Sequence, residues 1–201
     1  MELIAPDGVA SLRDVEEIER TPLSERGLAA STYEIFQRSA ERFPDAVALQ
    51  YLFSADPAAG SWDYTYRDML DRVTRAANVF TGLGVGRGDA VSILMPNLPQ
   101  NHFVLWGAEA AGIANPINPM LEPSQIAGIM TAAGTKVLVT VAPFPGVELW
   151  EKAAAVAGEV PGLEAILTVD MHQFLEPGAT PQVPEHPSLR VEDLDRLMAG
   201  E

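Results

Sequence analysis

The sequence predicts an α/β fold with a largely parallel sheet. Three features of its 201 residues carry that expectation. Short apolar runs of strand length alternate with longer amphipathic segments of helix length along most of the chain. Glycine, proline, asparagine and aspartate punctuate the junctions between them. The chain is 47% hydrophobic and 20% charged, a composition that supports a buried core at this length.

Met1 to Ala30 is polar and acidic, with weak helical character around Leu12 to Ile18, and reads as an N-terminal extension over residues 1–30 that packs loosely or not at all. Ser31 and Glu34 have capping-box spacing and open a helix anchored by Tyr33, Ile35, Phe36, Ala40 and Phe43, closed by Pro44. Val47 to Phe53 reads as a strand, Ser54 to Gly60 as a loop and Trp62 to Thr65 as a short strand. Thr65 and Asp68 then cap a helix from Tyr66 to Thr81, with Tyr66, Met69, Leu70, Val73, Ala77 and Phe80 on one face. Gly82 and Gly84 end it.

A buried strand from Ala90 to Met95 is stopped by Pro96, and an apolar helix runs from Gln100 to Ala111. Ile113 to Ile117, Val137 to Val141 and Ala165 to Val169 read as strands, with helices at Ser124 to Ala133 and Glu148 to Ala157. The α/β domain is expected over residues 31–170. From Met171 the chain turns loop-like, with Pro177, Pro181, Pro184 and Pro187, and residues 171–201 read as a Pro-rich acidic tail. Val191 to Met198 is expected as a short acidic helix.

A net charge of −15 opposes binding to a phosphate backbone or an anionic membrane surface. The N-terminus lacks a signal-peptide pattern, and no run is long and apolar enough to span a membrane. With no cysteine in the chain, a cytoplasmic setting is expected, without disulfides or a structural zinc.

The residues alone show no catalytic constellation and no metal site. Gly82, Gly84, Gly86 and Gly88 alternate, and they follow a helix and precede a strand, the reverse of a phosphate loop. Gly128 to Lys136 misses the Walker spacing, with five residues between its glycines and Thr135 before the lysine. Arg87-Gly88-Asp89 reads as a charged tight turn. His102 and Glu109 lie two helical turns apart, either as a solvated polar stripe or as a catalytic pair. His102, His172 and His186 have no companions at metal-ligand spacing, and the acidic runs at Glu16, Glu17 and Glu19 and at Glu192, Asp193 and Asp195 read as exposed charge.

Several segments in order resemble a known family. TYEIFQRSAERFPDAVAL is similar to the opening helix and strand of AMP-forming acyl-CoA synthetases, the superfamily of firefly luciferase and peptide-synthetase adenylation domains. WDYTYRDMLDRVTRAANVFTGLGVGRGDAVSILMPNLPQ resembles their N-terminal helix, Gly-Asp turn (Gly88-Asp89), buried strand and Pro-Asn pair (Pro96-Asn97). AAGIANPINPML and TAAGTKVLVT continue the series. The likeness covers Ser31 to Val141 well and Pro145 to Asp170 more loosely.

The resemblance implies an incomplete doubly wound sheet, the front part of the large N-terminal domain of those enzymes. It also implies a parent activity in fatty acid metabolism, in which a carboxylic acid, ATP and CoA give acyl-CoA, AMP and pyrophosphate, with Mg²⁺ assisting. Nothing like S-G-T-T-G-x-P-K occurs here, so the chain alone is expected to be inactive and to hold no cofactor itself. Pro119, Met120 and Leu121 are the candidates for a CoA or acyl channel, with an ordinary strand-to-helix loop as the alternative. A stand-alone, non-catalytic interaction or scaffold protein derived from the family is the rival reading, and either chain could self-associate through an open sheet edge.

Overall fold

The computed structural model describes residues 8–200 apart from 57, 59, 177 and 179. Five parallel strands form the main sheet in the order β4-β3-β5-β6-β7. They are β3 (Ala90–Leu94), β4 (Ile113–Pro116), β5 (Thr135–Val141), β6 (Ala165–Val169) and β7 (Arg190–Asp193). β3, β5 and β6 carry buried residues on both faces, as strands covered by helices on both sides must.

The chain leaves β3 for β4 through helix α4 (Pro99–Ala111), then passes back across β3 to β5 through α5 (Pro123–Ala133). α6 (Leu149–Ala157) connects β5 to β6. Because the winding direction reverses at β3, right-handed crossovers put α4 on one face and α5 and α6 on the other. α3 (Tyr66–Gly82) packs on α4, and α7 (Leu194–Ala199) packs on α3. This is the doubly wound, parallel architecture that the sequence predicts.

Before the sheet come α1 (Leu12–Glu19), which buries no residue, α2 (Thr32–Arg42), and an antiparallel pair, β1 (Val47–Tyr51) with β2 (Trp62–Thr65). The pair stands apart from the main sheet and docks through aromatic rings. Tyr51, Phe53 and Trp62 gather round buried Phe174 at centroid distances of 5.2, 5.5 and 5.3 Å, and Tyr64 meets Phe103 edge-on at 5.2 Å.

Phe80, Phe103, Ile93, Leu94, Leu138, Ile166 and Leu167 are fully buried. Each stabilises the fold by about 1.5–3 kcal/mol relative to an exposed side chain. Along α3 the buried alanine is Ala76 rather than Ala77, because Ala76 faces Gly107 where α3 and α4 cross. A Cβ on Gly107 would lie 2.7 Å from that of Ala76.

The stretch after Met171 is more ordered than its prolines suggest. Met171–Phe174 forms a 3₁₀ turn with both end residues buried. Arg190–Asp193, expected in a helix from Val191, instead pairs in parallel with β6, from Arg190 opposite Ala165 to Asp193 opposite Thr168. The helix begins only at Leu194, because the Asp193 side chain accepts from the Arg196 N–H and caps it there.

Candidate functional site

In a doubly wound sheet, ligands bind outside the carboxyl ends of the strands, nearest the point where the winding reverses. Here that point lies between β3 and β5. The loops at this edge are those following Leu94, Pro116, Val141, Val169 and Asp193.

Pro119, Met120 and Leu121 sit on this edge, in the loop after β4. Asn118 shapes the loop, its side-chain oxygen accepting from the Met120 N–H at 2.9 Å. Lys152 on α6 holds it from the other side, its ammonium donating to the carbonyls of Pro119 at 2.9 Å and Leu121 at 3.1 Å. Leu121 packs against the core, whereas Met120 is 82% exposed. The loop therefore presents a flexible apolar side chain on a fixed backbone, an arrangement suited to contacting a chain-like ligand.

A second group at the same edge escaped the sequence reading. Asp170 follows β6 with its carboxylate buried, accepting from the His172 ring Nδ1 at 2.7 Å and from the N–H groups of His172 and Gln182, each at 2.9 Å. Burial alone would raise its pKa, but these donors outweigh it and hold the carboxyl below its ordinary range. Asp195 accepts from the side-chain amides of Gln100 at 3.0 Å and Gln173 at 3.1 Å, which ties the starts of α4 and α7 to the turn after β6.

Asp193, expected as exposed charge, is buried at the junction of β7 and α7. Burial pushes its carboxyl up to about 6, aided by the charges of Asp195 and Asp170 and opposed by the N–H and charge of Arg196. The available signal was positional, since an aspartate that ends a strand run and precedes a leucine-rich turn suits a helix cap at the carboxyl edge.

The remaining candidates lie elsewhere. Glu109 turns to α2, where its carboxylate accepts from the Thr32 hydroxyl at 2.9 Å, and His102 is half-buried, with desolvation lowering its pKa. Arg87-Gly88-Asp89 is a turn at the opposite, amino edge of the sheet, with the Asp89 carboxylate accepting from the Gly86 N–H at 2.9 Å. Gly84 and Gly134 follow helices with φ of 79° and 69°, the left-handed conformation of a helix end.

Among the described residues, no cluster of His, Asp and Glu is arranged to hold a metal ion. The loops after β3, β4 and β6 also lack a glycine-rich run. Among the described residues, no helix is long and apolar enough to cross a membrane.

The family model described as "AMP-binding enzyme" matches residues 36–196. The chain belongs to the AMP-binding enzyme family. Among curated members, it is 35% identical over 166 residues to a marinolic acid–CoA ligase of Pseudoalteromonas sp., a match that covers 82% of this chain and 25% of that ligase. An uncharacterised protein of Mycobacterium tuberculosis is 34% identical over 121 residues, covering 60% of this chain and 66% of its own length. Among solved structures of the family, acetoacetyl-CoA synthetase from Streptomyces lividans superposes with a TM-score of 0.66 at 25% identity, covering 83% of this chain and 24% of that one. An anthranilate–CoA ligase bound to anthranoyl-AMP shares the fold, with a TM-score of 0.62 at 20% identity over 84% of this chain and 28% of its own. This chain thus spans about a quarter of the length of the ligases it matches.

Proposed function

We propose that the chain is the front part of an AMP-forming acid–thiol ligase and supplies one wall of that enzyme's acyl or CoA channel. In the parent reaction a carboxylate oxygen attacks the α-phosphorus of ATP and pyrophosphate leaves. The CoA thiol, giving up its proton, then attacks the acyl carbon, and AMP leaves. The family match over residues 36–196 supports this reading, and so does the position of the Pro119, Met120 and Leu121 loop, held by Lys152 beyond the carboxyl ends of the strands. On this reading the protein is cytoplasmic, ATP, Mg²⁺ and CoA are engaged by the parent enzyme, and the 201 residues alone do not turn over ATP.

The short M. tuberculosis relative, of which 121 matched residues make up 66%, favours a second reading. In it the chain is a stand-alone, non-catalytic interaction protein. One experiment separates the two. The native protein is captured from its source cells with an antibody, its intact mass is measured, and ATP–pyrophosphate exchange is assayed with a panel of carboxylic acids. A species well above 21.6 kDa that exchanges, beside a recombinant chain that does not, supports the ligase reading. A native mass of 21.6 kDa without exchange supports the second. Exchange by the recombinant chain overturns the claim that these residues alone are inactive.

A further inference from the structure

Asp193 ends β7 and opens α7, so one side chain serves two elements. Its Oδ1 accepts from the Arg196 N–H at 2.9 Å. Its Oδ2 is sealed from solvent and lacks a hydrogen-bond donor, as does Oε1 of Gln100, and each residue is only 3% exposed. An ionised carboxylate in this position leaves a charged oxygen with neither water nor a donor, a cost the neutral acid avoids. The charged groups acting on it are Asp195 and Arg196 on α7 and Asp170 after β6. Asp195 is held by two amides, from Gln100 and Gln173, so its charge cannot simply swing away. Glu192, the neighbour on β7, is paired with Arg190.

We propose that Asp193 is a proton-operated latch on the edge of the sheet: as the neutral acid it lets β7 and α7 close onto β6 and α3, and its ionisation loosens the two elements together. The closed segment holds a proton that the open one releases, because burial raises the carboxyl from 3.8 to about 6. A folded value raised in this way gives stability that is fully present below 3.8 and lost as pH rises through about 6. The latch therefore works just below neutrality. Among the described residues β7 is the outer strand on that side of the sheet, so the latch acts where β7 joins β6.

Hydrogen exchange of the amides of residues 190–199, corrected for the intrinsic rate and measured at about pH 5 and about pH 7.5, tests the latch. Wild-type protection of this segment falls about tenfold across that interval. In Asp193→Asn, which keeps the capping oxygen but cannot ionise, the fall is absent. In Asp195→Asn the transition moves to lower pH, because a neighbouring negative charge has gone. Wild-type protection that does not change with pH, or the same fall in Asp193→Asn, overturns the proposal. Should Asp193→Asn fail to fold, an unmoved midpoint in Asp195→Asn overturns it equally.

Discussion

The ammonium of Lys136, at the start of β5, donates to the carbonyl oxygen of Gly84 at 2.8 Å, across 52 residues of sequence. The same group lies 3.6 Å from the Asp89 carboxylate and 3.7 Å from that of Glu164. One lysine thus ties the end of α3, the turn before β3 and the entry to β6 at the amino edge of the sheet. Both carboxylates are partly exposed, so their ion pairs contribute little and the bond to a charged donor dominates. Lys136→Met is expected to cost about 1–2 kcal/mol, with Lys136→Arg recovering part of it. Urea unfolding of the three proteins checks this, and an unchanged midpoint in Lys136→Met would assign the lysine no structural role.

A directional chain of hydrogen bonds runs through the sheet at the level of Ser92. The Asn115 amide donates to Ser92 Oγ at 2.9 Å, Ser92 meets Thr135 Oγ1 at 2.7 Å, and Thr135 donates to the Met130 carbonyl at 2.8 Å. Since Thr135 spends its proton on Met130, Ser92 must donate to Thr135. Thr135→Val keeps the shape but strands the Ser92 proton and leaves the Met130 carbonyl with only the Gly134 N–H, at about 1–3 kcal/mol. Adding Ser92→Ala should restore part of that loss, and a double-mutant cycle measures the coupling.

These two networks show what the sequence could and could not reveal. The helices and strands were legible because their apolar residues repeat at the right period, as along Met69, Val73 and Phe80. Asn115, Ser92 and Lys136 stood in recognisable segments, but their roles depend on contacts between positions 23 to 52 residues apart, which no local pattern encodes. The tail was misread for a related reason. Arg190–Asp193 has weak strand character on its own and becomes a strand by adding to the open edge of β6. Asp193 and Asp170 were hidden by their residue type, because a carboxylate is read as exposed until the fold supplies its donors.

Gly112 marks another close approach. Its φ of −163° is open to any residue, but an added Cβ would lie 2.6 Å from the carbonyl oxygens of both Asp89 and Gly86. Those are backbone atoms of the turn into β3 and cannot swing aside. Gly112→Ala is expected to cost at least as much as typical overpacking, about 1–3 kcal/mol, and Gly107→Ala a comparable amount where α3 meets α4. Gly128→Ala, at a helical position with nothing within 4 Å, is the control and should be neutral or slightly stabilising. Thermal melts of the three variants give the comparison, and equal melting temperatures would refute the crowding.

Asp170 carries the opposite pH sign to Asp193. Burial pushes its pKa up, yet the N–H groups of Gln182 and His172 and the His172 ring bring it below 3.8 overall. A folded value depressed in this way gives stability that is present above 3.8 and lost as pH falls through the folded value. Asp170→Asn should therefore lower stability at neutral pH, by about 1–3 kcal/mol for the charged hydrogen bonds it weakens. It should also flatten the acid limb of the stability curve. Denaturant midpoints from about pH 6 to about pH 2.5 test this, and an acid limb as steep in the variant as in the wild type would remove Asp170 as its source.

The loop that carries Pro119, Met120 and Leu121 owes its shape to a lysine on a different element. Lys152 donates to two carbonyls of the loop at once, so truncating it frees both acceptors together. Because the loop is at the surface, water can replace those bonds, and the global cost of Lys152→Ala should stay near or below about 1 kcal/mol. The local effect should be larger. The Leu121 N–H, bonded to the Asn118 carbonyl at 3.2 Å, loses the support that keeps its turn closed and should exchange with solvent several-fold faster. Exchange at Leu121 that accelerates while urea stability barely moves would identify Lys152 as the residue that positions the loop. Equal exchange in the two proteins would show that Asn118 holds the turn alone.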